Sequence, residues 1–194
     1  MYQKECRSSW EASDLSQISW DPLLVACINA SIKKAETAGA FEAFCASMKR
    51  MPWSLVHGDF HPANCMLMHS GTAERPFKLV LLDWENVGVG SGPQEIGQFL
   101  ISHMDPDLRP RVEREIVEDY YQRLISHKPS IAEEMTLEEC WQEYIMGGVG
   151  KWIWFMPLLA SACPPKMTQF FHDQLLAFIR THGLGPDTIP MPRT

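Results

Sequence analysis

A mainly helical α+β domain with a single β-hairpin is the fold class that the sequence predicts. Three observations carry the prediction. Apolar residues recur at helical spacing before residue 50 and again after Pro93, short apolar runs of strand length lie between, and one turn-rich segment separates two of those runs. With 194 residues, 45% of them hydrophobic and 21% charged, the chain is long enough to bury one substantial core. Its 12 glycines and 14 prolines are ordinary counts, and no internal repeat is visible, which excludes fibrous and low-complexity classes.

The elements follow in order. Asp21 can cap a helix whose first turn holds Pro22, and Trp20 can staple onto Val25. Leu24, Ile28, Ile32 and Ala35 then share a face before Gly39 ends it. A shorter helix carries Phe41, Phe44 and Met48 and stops at Pro52. Ser54–Val56 and Cys65–Met68 read as short strands and Lys78–Leu82 as a longer one, the last two joined through the turn-rich 69–76 segment as an antiparallel hairpin. Beyond Pro93 the pattern is helical, with one stripe of Ile96, Phe99, Leu100 and His103 and another of Val112, Ile116, Tyr120 and Leu124. Thr136-Leu137-Glu138-Glu139 is a capping box leading into Trp141 and Ile145, and a last stripe runs from Met167 to Phe178 and ends at Gly183. Residues 1–185 read as one lobe, and 186–194, with three prolines, as a loose tail.

The net charge of −7 argues against a nucleic-acid groove, which needs clustered Lys and Arg. Residues 105–143 alone carry 11 acidic and 5 basic side chains, which favours a cationic ligand there; a solvated helix face is the competing reading. The six cysteines show no C-x-x-C pair or zinc-like spacing and read as reduced thiols. No signal peptide is visible, and the longest apolar run, Trp152–Cys163, is too short to span a bilayer and is broken by Pro157. A cytoplasmic protein is expected, with neither nucleic acid nor membrane among its partners.

The chemistry concentrates between His57 and Asp83. His57-Gly58-Asp59-Phe60-His61-Pro62-Ala63-Asn64 joins two strand-like runs without a helix, and burying a carboxylate, two imidazoles and an amide is costly unless they bind something or one another. If the hairpin pairs 64 with 83 and 65 with 82, Asn64 and Asp83 oppose each other at roughly 5 Å. An amide oxygen and a carboxylate so placed can share a hard cation such as Mg²⁺, which keeps waters and substrate phosphates. Asp59 is near enough to orient an attacking hydroxyl or take its proton.

These residues, His57-Gly58-Asp59 through Asn64 followed by Leu82-Asp83-Trp84-Glu85, resemble the catalytic segment of aminoglycoside phosphotransferases and choline kinases. Those families share the protein-kinase-like fold, with an H-x-D-x-x-x-x-N loop and a second Asp bracketing a hairpin. The resemblance implies Asp59 as catalytic base, Asn64 and Asp83 as Mg²⁺ ligands, His57 as the brace of the loop, ATP as phosphoryl donor and a small-molecule hydroxyl as acceptor. It also implies the C-terminal lobe alone, because only 56 residues precede His57 and they contain neither a Gly-rich hairpin nor a strand Lys. A fragment of a two-lobed kinase, with very low turnover by itself, is therefore expected. A metabolite- or protein-binding pseudokinase lobe remains the alternative.

The sequence departs from the family where Trp84-Glu85 follows Asp83, and where Glu95 stands in place of an Asp in the Gly92–Gly97 segment. Trp141, Tyr144, Trp152 and Trp154, interleaved with Glu138, Glu139 and Glu143, are candidates for an aromatic and acidic cage around an amine-bearing acceptor, with core packing as the competing reading. Glu85, Glu139, Trp141 and Glu143 are the substrate candidates. H-x-D-x-H over 57–61 also admits a metallohydrolase. The Gly88–Gly92 run reads as a flexible connector, and Gly147–Trp152 fails as a P-loop because Ile145 and Trp152 occupy positions that must be Gly and Ser or Thr.

Overall fold

The computed structural model describes residues 2–49, 51–71 and 76–193. The expected class holds: helices dominate, and the strands form two small antiparallel pairs. Helices α1 (Tyr2–Ala12), α2 (Pro22–Ala35) and α3 (Ala40–Met48) come first, followed by β1 (Ser54–Val56), β2 (Cys65–His69), β3 (Phe77–Leu81) and β4 (Gly88–Gly90). Then come α4 (Gly92–His103), α5 (Arg109–His127), the short α6 (Ile131–Glu134), α7 (Leu137–Ala162) and α8 (Pro165–Thr181). The caps act as the residue types require: Asp21 accepts from the Leu23 N–H, Ser91 from the Gln94 N–H, and Thr136 forms its capping box with Glu139.

The core forms around α7, which packs against α1, α4, α5 and α8. By length and composition its 26 residues could cross a bilayer, well beyond the apolar run visible in sequence. Here Tyr144, Val149, Ile153 and Met156 instead lie fully buried at the centre of the helical layer. The crossing with α4 depends on two glycines, since a Cβ on Gly97 would lie 2.6 Å from the Gly148 Cα and 2.7 Å from the Tyr144 carbonyl oxygen.

Four expectations change. The polar start is helical from Tyr2 to Ala12, with Cys6 and Trp10 buried and the Trp10 indole donating to Asn29. The Gly88–Gly92 connector contains a strand, pairing Ser54 with Gly90 and Val56 with Gly88; glycine has little strand propensity, but a Cβ on Gly90 would strike Val56. On α5 the buried row is Arg109, Glu113, Val117 and Tyr121, one position on from the apolar stripe. Glu113 faces inward because it accepts from the Tyr144 hydroxyl at 2.7 Å and meets Arg109 and His182. The segment from 186, expected to be loose, is tied down through Arg193: Ile189 is fully buried, Lys34 donates to the Asp187 and Ile189 carbonyls, and the Arg193 N–H bonds the Gly150 carbonyl.

The hairpin differs by one residue. Cys65 pairs with Leu81 and His69 with Phe77, so Asn64 faces Leu82 rather than Asp83, its carbonyl accepting from the Leu82 N–H at 2.9 Å. The turn expected between 73 and 74 lies outside the described residues.

Replacing Gly97 by Ala forces backbone against backbone at the α4–α7 crossing. A loss of about 2–3 kcal/mol in urea-derived stability is expected, while Gly185→Ala, with open space around it, should stay within about 0.5 kcal/mol.

Candidate functional site

The loop that leaves β1 at His57 turns helical only in a single 3₁₀ turn, Pro62–Asn64, before β2, and α4 holds its first residues in place. Glu95, in the first turn of α4, accepts from two successive backbone N–H groups, His57 at 2.8 Å and Gly58 at 2.5 Å. Gly58 has φ +85°, and a Cβ there would lie 2.1 Å from the Asn86 carbonyl oxygen, so the turn after β3 closes directly over it. Only glycine satisfies both conditions. The buried His57 ring donates through Nε2 to the Leu82 carbonyl at 2.7 Å and lies 4.7 Å from Trp84, linking the loop to the end of the hairpin. Phe60 stacks on Phe99 of α4 at 4.6 Å.

Asp59 stands at the meeting point of these restraints. Gln98 donates to Oδ1 at 3.3 Å, His61 Nε2 lies 3.4 Å from Oδ2, and the Asn64 amide reaches the Asp59 carbonyl at 3.0 Å and Oδ2 at 3.4 Å. Its side chain remains about one-third exposed, and it lines two cavities. The larger, about 640 Å³, is walled by apolar groups including Phe44, Trp53 and Trp154, with Gln94, Gln98 and Lys151 among the polar ones. The smaller, about 250 Å³, contains His61, His103 and Phe171.

Asn64 spends its amide hydrogens on Asp59, which leaves Oδ1 without a donor among the described residues. Asp83 follows at the hairpin end as the single non-glycine residue with positive φ among the described residues (φ 59°, ψ 65°), and its exposed carboxylate makes no hydrogen bond with them. A left-handed aspartate is a strained backbone state that persists where the surroundings over-determine it, as functional sites often do. Because Leu82 bonds Asn64 directly, the Asn64 and Asp83 Cα atoms lie no more than about 9 Å apart. The Asn64 Oδ1 and the Asp83 carboxylate, two available oxygen donors at one end of a ribbon, are a set suited to Mg²⁺.

The substrate candidates lie elsewhere. Glu139 is spent on the Thr136 cap, Glu143 is held by Arg193 at 2.6 Å, and the Trp141 ring carries Arg114 at 4.9 Å. Glu85 is exposed, and none of the four lines either cavity. The proposed cage therefore fails for a physical reason: the protein's own arginines already occupy its cation positions, and Tyr144 is fully buried beneath Trp141. Among the described residues no three His, Cys, Asp or Glu side chains converge on a metal position, so the structure adds no support to the metallohydrolase reading. Gln98 and Lys151 were not singled out from sequence. A lone lysine inside the apolar, glycine-rich 147–156 run was the available signal for Lys151.

The sequence model of the ecdysteroid kinase-like family matches residues 23–132, from α2 through the hairpin and α4 into α6. Comparisons with curated proteins and with solved structures return no match.

The Glu95 carboxylate carries two charge-assisted bonds that an amide cannot reproduce. Glu95→Gln should cost about 2 kcal/mol in denaturant stability and speed hydrogen exchange at the His57 and Gly58 amides relative to those of α7.

Proposed function

The chain belongs to the ecdysteroid kinase-like family, a branch of kinase-like phosphotransferases, and from this premise we propose that it transfers the γ-phosphoryl group of ATP to a hydroxyl of a small molecule. The observation that supports this most is the cluster at the hairpin end: Asp59 opens onto a cavity, Asn64 donates its amide to it, and the Asn64 Oδ1 and the Asp83 carboxylate accept no hydrogen bond from the described residues. When bound, Mg²⁺ and ATP supply the activated phosphoryl group, and in this reading the Asn64 and Asp83 oxygens hold the metal.

The remaining work falls to the chain's own side chains. Asp59 accepts the hydroxyl proton, and because Gln98 and Asn64 each pin one of its oxygens, the carboxylate arrives already oriented. His57 does not touch the acceptor; it couples the loop to the hairpin, so the base and the metal-holding pair keep a constant spacing. The larger cavity, of a size common for small-molecule sites, takes the acceptor's skeleton. Its apolar walls suit a ring-bearing alcohol, an ecdysteroid being the first compound to try given the family's name. The amine-bearing acceptor loses its support with the cage. The six cysteines, all free, suit a reducing cytoplasmic setting for this activity.

The test is transfer of labelled phosphate from Mg²⁺-ATP to a panel of polyhydroxylated steroids by the full gene product. Asp59→Asn should lower the rate by about 10²–10⁴-fold while the protein stays folded by circular dichroism, and Asp83→Ala should raise the Mg²⁺ concentration needed for half-maximal rate. Undiminished transfer by Asp59→Asn would overturn the reading.

A further inference from the structure

Among the described residues, one basic side chain lines the larger cavity. Lys151 reaches it from α7 and is 9% exposed, with its Nζ 5.1 Å from the Phe155 ring centroid and 5.7 Å from that of Trp154. No hydrogen bond or ion pair joins Nζ to a described residue. Burial lowers its pKa, against the opposing pull of the Asp59 and Glu95 carboxylates. Aromatic faces compensate a largely buried ammonium only in part, and with no acceptor among the described residues its N–H donors remain available to a molecule that enters the cavity. Asp59 and Lys151 line this cavity together, whereas Asn64 and Asp83 do not. The ammonium therefore addresses the acceptor side of Asp59 rather than the hairpin end. Glu95 acts on it only at a distance: its two oxygens are turned to the His57 and Gly58 N–H groups and make no hydrogen bond or ion pair with Nζ.

We propose that Lys151 determines acceptor specificity: its ammonium donates to an oxygen (carbonyl, hydroxyl or carboxylate) on the same skeleton as the hydroxyl that meets Asp59. The inference rests on the phosphotransferase reading for the word acceptor, but the binding it describes stands apart from transfer. Two-point attachment, one hydroxyl at Asp59 and one oxygen at Lys151, selects which hydroxyl of a polyhydroxylated molecule faces the base. An acceptor with an ammonium in that second position meets a like charge across a largely apolar wall and binds more weakly. Lys151 lies beyond the 23–132 family match, so this selection belongs to the part of the chain that the match leaves open.

The experiment is equilibrium binding to the full chain, read by tryptophan fluorescence because Trp53 and Trp154 line the cavity. It uses three probes on one skeleton, each below its micellar range: cholate, its carboxamide, and the corresponding primary amine. Wild type should bind cholate at least tenfold more tightly than the amine, with the carboxamide between them. Lys151→Met should erase that order by weakening cholate about tenfold and leaving the amine unchanged or tighter, and Lys151→Arg should keep it. In wild type, cholate should also protect Lys151 from trinitrobenzenesulfonate, read by peptide mass spectrometry, a measurement that needs no variant to fold. An unchanged order in Lys151→Met, tightest binding by the amine, no binding of any probe, or no protection would overturn the proposal. Discrimination without phosphoryl transfer would refute the proposed reaction and leave Lys151 as a ligand anchor. Transfer with unchanged acceptor preference in Lys151→Met would do the reverse.

Discussion

One carboxylate grips two backbone amides, and the site is organised around that grip. Glu95 sits where the first turn of α4 presents unpaired N–H groups and a favourable dipole for negative charge, and it turns its oxygens outward to His57 and Gly58. A loop leaving a three-residue strand has little else to define its path, because it makes no ladder beyond Val56 and turns helical only in the 3₁₀ turn Pro62–Asn64 at its far end. With the two N–H groups held, Gly58 turns at positive φ, and the absence of a Cβ lets the turn after β3 approach its Cα. Asp59 is thus presented by a backbone fixed on both sides, and α4 contributes again through Gln98, one turn further along.

The second constraint is the one-residue offset in the hairpin. Alternation along strands means that a one-residue shift in pairing sends side chains to opposite faces. Asp83 escapes that consequence because it lies past the ladder and adopts a left-handed conformation, which aims the chain into the Trp84–Asn86 turn. That turn returns to cover Gly58 and brings the Trp84 ring, tilted, to 4.7 Å from that of His57. The strained residue is therefore part of the closure that binds hairpin to loop.

Polar groups buried in the helical layer explain why charge and hydropathy along the chain mislead locally. The acidic 105–143 stretch is partly a solvated face, as in the exposed Arg123–Asp119 and Arg114–Glu118 pairs, and partly core, as in Glu113 beneath Tyr144 and His182. The aromatic and acidic interleaving on α7 follows the same logic. Arg114 and Arg193 arrive from elements distant in sequence and consume the ring and the carboxylate that a ligand would have used.

Elements whose signal is local were readable from the sequence alone. These are the caps at Asp21 and Thr136, the helical periods of α2, α4 and α8, the hairpin around a turn-rich segment, and the H-x-D-x-x-x-x-N motif with its downstream Asp. Each depends on residues within a few positions of one another, where propensity, capping and spacing act directly. The tertiary structure decided what depends on a partner from far along the chain: strand β4, built from glycines that only Val56 makes into a strand; the register that sets Asn64 against Leu82; the inward turn of α5 to bury Glu113; and the arrival of Lys151 beside Asp59. Those outcomes come from packing and from the need to satisfy buried polar groups, and neither can be evaluated until the distant surfaces meet.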